Sequence, residues 1–354
     1  MKKISYLLLA AAMTGLVSCA QQDNADSPVV EEQPTEGKVI IKEINVGGVK
    51  NSEKATGNYL FCKGIILYNN GGKAVTLSNW GLAFTAPQNG EAANKNYDTD
   101  GKLVYEKDGY VPAHQGAWYF PGTVTIQPYS DLVIAINGAI DHTKQTDGAN
   151  AFDMSSADMA CYDTSVFSLA TFYPAPISVP ENMWMKAVKY NTATAWAVSI
   201  SSPALFIFSA PDNVTLADYL TKEENLVFTN GATTAAYKCA KIPMEWIVDG
   251  VELYNKDKVA SSTKRLPAAI DAGYGIYASG LGYSAYRNID EEATVSLRDN
   301  ANKLVYHYAD GAEDTTDPSG IDAVASVKNG AKIVYLDTDN STNDFHLRKA
   351  WSLK

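Results

Sequence analysis

The chain has 354 residues, 46% of them hydrophobic, and its 29 basic and 40 acidic side chains give a formal net charge of −11. That length and apolar content suffice for one large or two modest domains with real cores. The acidic balance argues against nucleic acid as a partner and against electrostatic docking on anionic lipid.

Met1, Lys2 and Lys3 precede an apolar run from Ile4 to about Val17 that is too short to span a bilayer, so residues 1–18 read as a signal peptide. The run ends in Leu16-Val17-Ser18-Cys19-Ala20. That segment resembles the bacterial lipobox, in which the Cys thiol takes a lipid as a thioether and the chain is cut in front of it. Cys19 is therefore the expected lipidation site, and a membrane the expected partner through that lipid. An ordinary secretory signal with a chance Cys is the plainer alternative. Ala20, where an Asp would imply inner-membrane retention, implies sorting to the outer membrane, with the side it faces left open. Cleavage removes two lysines and no acid, leaving 27 basic against 40 acidic residues, a net −13. Residues 19–37 are polar, acidic and proline-containing, the composition of an extended tether.

Beyond the tether the pattern predicts short strands separated by turn chemistry. Lys38-Val39-Ile40-Ile41-Lys42-Glu43-Ile44 is one, and Gly64-Ile65-Ile66-Leu67-Tyr68 is another, closed by Asn69-Asn70-Gly71-Gly72 as a hairpin signal. Ala74-Val75-Thr76-Leu77, Trp80-Gly81-Leu82-Ala83-Phe84, Thr123-Val124-Thr125-Ile126 and Asp131-Leu132-Val133-Ile134-Ala135-Ile136 follow at the spacing of a sandwich or barrel. From about 140 to 235 the texture changes to an inserted mixed α/β region. There Ser155-Ser156-Ala157-Asp158 looks like a capping box and Thr215-Leu216-Ala217-Asp218-Tyr219-Leu220 like a helical turn. Strands are expected there at Ala195-Trp196-Ala197-Val198-Ser199-Ile200 and Leu205-Phe206-Ile207-Phe208. Later ones are expected at 246–254, 295–298 and 332–336. Residues 38–354 thus read as a single elaborated, mainly β domain. Cys62, Cys161 and Cys239 are widely spaced, so one disulfide with a free thiol and three buried thiols are both open.

The run from Ile40-Ile41-Lys42-Glu43-Ile44 through Tyr68-Asn69-Asn70 to Leu77-Ser78-Asn79-Trp80-Gly81-Leu82 resembles the opening of a lamin-tail-type domain. That resemblance implies an immunoglobulin-like β-sandwich. More closely, Asp249-Gly250-Val251-Glu252, Lys264-Arg265-Leu266-Pro267 with Ile270-Asp271-Ala272-Gly273, and Asp337-Thr338-Asp339-Asn340-Ser341 with Asn343-Asp344-Phe345 resemble a family of Bacteroidota lipoproteins, the domain of unknown function 4876. The likeness covers roughly residues 38–350 and implies no activity. Where the family has an acid in its second strand this chain has Ile66.

Asp337, Asp339, Ser341, Asn343 and Asp344 place oxygens at close spacing, as a calcium loop does, but the central Gly is missing and Arg348 stands where the closing Glu would be. An Asx-rich turn is the plainer reading. Asp98-Thr99-Asp100-Gly101 reads as a hairpin turn. Ser284 fails the nucleophile-elbow pattern and His114, His142, His307 and His346 lack ligand spacing, so no enzyme is expected. Aromatic residues in loop-like stretches, Trp118, Tyr173 and Trp184, are candidate platforms for a ligand, with core packing as the alternative. The resulting expectation is a lipid-anchored, outer-membrane binding or accessory protein serving nutrient capture or a TonB-dependent transporter. A structural or adhesive surface lipoprotein and a secreted hydrolase are the rival readings.

Overall fold

The computed structural model describes residues 35–54, 56–85, 94–307 and 317–352. The expected signal peptide, Cys19 and the tether up to residue 34 lie outside them. In chain order the strands begin with β1 (Val39–Asn45), β2 (Val49–Lys50), β3 (Asn58–Tyr59), β4 (Lys63–Asn69), β5 (Val75–Leu77) and β6 (Trp80–Phe84). Next come β7 (Tyr110–His114), β8 (Gly116–Tyr119), β9 (Val124–Ile126), β10 (Asp131–Asn137), β11 (Met159–Cys161), β12 (Trp184–Lys189) and β13 (Ala204–Ser209). The last six are β14 (Leu226–Phe228), β15 (Lys238–Pro243), β16 (Ile247–Asn255), β17 (Gly275–Tyr277), β18 (Ser284–Arg287) and β19 (Phe345–Arg348). Helices are short: α1 (Val104–Lys107), α2 (Leu216–Thr221), α3 (Glu291–Ser296), α4 (Ala323–Lys328) and α5 (Ser341–Asp344).

Twelve strands form one mixed sheet in the order β17-β16-β13-β6-β8-β12-β11-β10-β4-β1-β18-β19. The sheet curls until it nearly closes into a barrel, and β17 comes to lie beside β18 and β19. Tyr277 on β17 latches the closure, its hydroxyl oxygen accepting the N–H groups of Val46 at 3.0 Å and Gly47 at 2.8 Å just beyond β1.

This architecture corrects the two-sheet immunoglobulin-like sandwich expected from the resemblance. The stretch 140–235 supplies β11, β12 and β13, which bridge β10 to β8 and β6 to β16, so the sheet runs on where a sandwich would break. Strands β1, β4 and β6 are buried at every position because both their faces are covered. Ile65 and Leu67 point into the barrel with Trp118, Ile134 and Leu205. Ile66 faces an outer layer with Met154, Val179 and Trp351. Phe206 and Phe208 face another, formed by α2 and the sheet β14-β15-β7.

Three expected strands resolve otherwise. Residues 195–200 carry no regular structure although Trp196 is fully buried. Residues 332–336 make only the single bridge of Tyr335 with Ile289. Val295 and Ser296 end α3, whose start is set by the Asp290 carboxylate accepting the Ala293 N–H at 2.9 Å. The capping box at 155–158 is a turn, because the Asp158 carboxylate accepts the N–H of Val133 on the neighbouring strand at 2.7 Å. Cys62, Cys161 and Cys239 are all buried free thiols.

Residues 35–37, the end of the expected tether, lie against the loop that follows β4. Thr35 accepts the Gly72 N–H through its carbonyl at 3.1 Å and its hydroxyl at 3.0 Å, and Glu36 pairs with Lys73. Gly71 is small for this reason, since a Cβ there would stand 2.0 Å from the Glu36 carbonyl oxygen.

Candidate functional site

An acid in the middle of an apolar strand has to find cations, and Glu252 on β16, between Val251 and Leu253, is fully buried. The loop that follows β16 brings them. Arg265 Nε lies 2.9 Å and Lys264 Nζ 3.0 Å from the Glu252 carboxylate, which also accepts the backbone N–H groups of Arg265 and Leu266. The second Arg265 terminal nitrogen donates to the Ser202 carbonyl at 2.8 Å. Burial pushes the Glu252 carboxyl up, but the two cations and the N–H groups outweigh it and hold the group below its ordinary value.

Asp271 ties this loop to the 337–344 segment. It accepts the N–H groups of Glu252 at 2.8 Å and Gly273 at 3.1 Å, and from Ser341 both the N–H at 2.7 Å and the hydroxyl at 2.8 Å. Burial holds its carboxyl above the ordinary range despite Lys264 and Ser341. The start of α5 is capped by Asn340, whose Oδ1 accepts the Thr342 N–H at 3.0 Å. One hydroxyl then fixes Tyr274: Thr342 Oγ1 accepts the Tyr274 N–H and donates to the Tyr274 carbonyl, each at 3.0 Å. Gly273 permits the approach, because a Cβ there would meet Asn340 Oδ1 at 1.9 Å.

Tyr274 stacks on Tyr254 with centroids 4.2 Å apart and planes 8° from parallel. Tyr254 is buried and Tyr274 half-buried, so Tyr254 backs one face of the Tyr274 ring, and Tyr274 lines both the cleft and the hollow beside it. Tyr97, Tyr254, Lys264, Tyr274, Asn340 and Thr342 line an open cleft of about 590 Å³. Across Tyr274, Thr342 and Asn343 it adjoins a hollow of about 640 Å³ walled by Ile276, Phe345 and Leu347. Tyr97 anchors the far wall by donating to the Lys264 carbonyl at 2.6 Å, and burial pushes its phenol up to about 12.

The expected calcium loop serves another cation. Asp337 receives Lys38 Nζ at 2.6 Å and Arg287 Nη1 at 3.0 Å. The Asp344 carboxylate accepts the Thr338 N–H at 2.9 Å and hydroxyl at 2.7 Å and the Asn340 N–H at 3.3 Å, with Arg287 Nη1 3.4 Å away. Ser341 is committed to Asp271, while Asp339, at φ 52°, and Asn343 are exposed. Among the described residues no three His, Cys, Asp or Glu side chains come together as a metal site requires. The segment is an Asx-rich turn built around a guanidinium.

The aromatic platforms divide differently from expectation. Trp118, on β8, is fully buried against Phe167 and Tyr173. Tyr173 is buried too, its hydroxyl accepting the Trp196 N–H at 2.9 Å. Trp184 is half-buried on β12, donating to the Val179 carbonyl at 2.9 Å and meeting Tyr162 edge-on. None of the three lines the cleft, whose own tyrosines, Tyr97, Tyr254 and Tyr274, are not among the expected platforms. Ser284 is fully buried, its hydroxyl donating to Glu43 at 2.5 Å. Cys239 Sγ lies 3.8 Å from His114 Nδ1, but burial pushes the thiol up to about 12 and the imidazole down to about 4, which keeps both neutral.

Compared with known proteins, the model of the family described as "Protein of unknown function (DUF4876)" matches residues 127–311, a stretch that holds Glu252, Arg265, Asp271 and Tyr274. No curated protein matches the chain. The crystal structure of a DUF4876 family protein from Bacteroides thetaiotaomicron is similar with a TM-score of 0.63 and 20% identity, over 87% of this chain and 70% of that one. At that identity the likeness is one of fold.

Proposed function

This chain belongs to the DUF4876 family of proteins of unknown function, and from that premise we propose that it is a lipid-anchored binding protein of the outer membrane. Cys19 carries the lipid, the tether holds the domain off the bilayer, and the domain captures a soluble nutrient, which it passes to an outer-membrane transporter of the TonB-dependent kind.

The observation that carries this reading is the cleft at Tyr274. Its walls are fixed before any ligand arrives, because buried Asp271 and Glu252 hold the two loops that form it. A preformed concave site with few polar groups on rigid supports is what ligand capture asks for. Hydrolysis through a serine asks for a hydroxyl open to substrate, and the Ser284 hydroxyl is enclosed beside Glu43.

Two measurements test the proposal. Cells fed a labelled fatty acid should label the wild-type protein and leave Cys19→Ala unlabelled and soluble; an unlabelled, soluble wild type ends the anchored reading. The mature chain, made soluble as Cys19→Ser, should show a raised Tm with at least one class in a screen of glycans, peptides and iron chelates. No shift with any class, combined with cross-linking of the same surface to an envelope protein, would replace capture by adhesion.

A further inference from the structure

We propose that the cleft and the adjoining hollow form one two-part site for a neutral oligosaccharide, with Tyr274 as the platform between the parts. This rests on the binding reading above and names its ligand class.

Charge is the first argument. The ionised groups in and under the wall cancel: Glu252 and Asp271 face Lys264 and Arg265. Lys264 is the cation that reaches the cleft, and its three N–H bonds have takers in Glu252 at 3.0 Å, Asp271 at 3.4 Å and the Gly273 carbonyl. An anionic ligand would have to pull that ammonium from two buried carboxylates. A ligand without charge leaves it in place.

The remaining groups suit a polyol. Tyr274 is half-buried, backed by Tyr254 and lining both parts of the site, and pyranose rings present a patch of C–H groups that packs on such an aromatic ring. Tyr97 Oη donates to the Lys264 carbonyl and keeps its lone pairs, and the exposed Asn343 amide can both donate and accept. Hydroxyl groups, which also donate and accept, match that set.

Size gives the third argument. The two volumes, about 590 and 640 Å³, meet at Tyr274, Thr342 and Asn343, and either alone falls in the range of a small-ligand pocket. A single sugar would fill neither. A chain of two or more rings crosses the ridge and reaches Ile276 and Phe345 on the far side.

The test is isothermal calorimetry on the Cys19→Ser mature chain with neutral trisaccharides (maltotriose, cellotriose, xylotriose, mannotriose, laminaritriose), a galacturonic acid trimer, and glucose. At least one neutral trisaccharide should bind, at least tenfold tighter than glucose and than the acidic trimer. Tyr274→Ala should weaken it about tenfold or more, Asn343→Ala severalfold, and Tyr274→Phe less than threefold, since the phenyl ring keeps the platform. Circular dichroism separates lost binding from lost folding in Tyr274→Ala, and the exposed Asn343→Ala repeats the test without that risk. Tighter binding of the acidic trimer, or neutral binding untouched by all three substitutions, overturns the proposal. If peptides or chelates bind and sugars do not, the ligand class falls and the binding reading stands; if no class binds, both fall.

Discussion

Arg287 Nη2 and Asp249 Oδ2 lie 2.5 Å apart although β18 and β16 are each the second strand from opposite ends of the sheet. The pair joins the two ends of the curled sheet, and Asp249 adds a bond from the Ile41 N–H at 2.6 Å on β1. Burial, with Asp337 nearby, holds the Asp249 carboxyl above the ordinary range against the pull of Arg287. Removing one partner leaves a buried charge short of its counterpart. Asp249→Ala should therefore cost about 3–5 kcal/mol of unfolding free energy in urea titrations, and Asp249→Asn clearly less because it keeps an acceptor for the guanidinium. Equal losses in the two variants would show that the charge carries the whole contribution and the retained acceptor none.

Lys63 presents the opposite case. Its ammonium is buried, donates to the Val198 carbonyl at 3.0 Å, and among the described residues has no carboxylate within ion-pair distance. The Asn137 amide on the paired strand position is buried as well and bonds to nothing described. Burial lowers the Lys63 pKa from 10.5 to about 8. Since the native value lies below the unfolded one, the native state holds fewer protons between pH 8 and 10.5, and stability rises with pH across that window. The penalty is full below pH 8. Lys63→Met should stabilise the fold at pH 7 by roughly 2 kcal/mol, the cost of the desolvated charge less one hydrogen bond, and flatten that rise. A variant less stable at pH 7 with an unchanged slope would refute the account.

Gly273→Ala tests the junction of the two loops. Its new methyl group would sit 1.9 Å from Asn340 Oδ1 and 2.7 Å from the Thr342 nitrogen, so the start of α5 must move. The expected loss is about 1–3 kcal/mol, read as a lower Tm, together with loss of any ligand that Tyr274 holds.

Asp271→Asn keeps the shape and removes the charge. Asp271 takes the Ser341 N–H on one oxygen and its hydroxyl on the other, so whichever oxygen becomes the amide nitrogen costs one of the two bonds, and residues 338–344 should exchange amide hydrogens faster while β4 and β10 keep their protection. Unchanged exchange would mean that Asn340 and Asp344 hold the turn unaided.

Much of the barrel was legible in the residues. The strands at 39–45, 63–69, 80–84, 131–137 and 204–209 stand within a residue or two of where β-branched and aromatic runs place them. Closure was not legible, because period-two alternation is the same in a sandwich and in a curled sheet. What decides between them is the parallel pairing of β10 with β11 and of β11 with β12, contacts that no local pattern encodes. The cleft was half legible. Glu252 in an apolar strand and the Lys264-Arg265 pair were visible as motifs, but that Asp271 would reach Ser341, 70 positions on, depends on the fold. Trp118 and Tyr173 misled for a related reason: both pack into the barrel core, Trp118 from strand β8 and Tyr173 from the irregular stretch between β11 and β12.

The way β1 is held has a mechanical side. A pull arriving through the N-terminal segment first meets Thr35 on Gly72 and Lys38 on Asp337, and then runs along β1 itself. That strand lies between β4 and β18, so the load falls on the ladder bonds of both edges together, in shear, and cannot open them one at a time. A load entering at the N-terminal end of β1 is thus carried in shear by two ladders at once, and the contacts at residues 35–38 would part well before the sheet gave way.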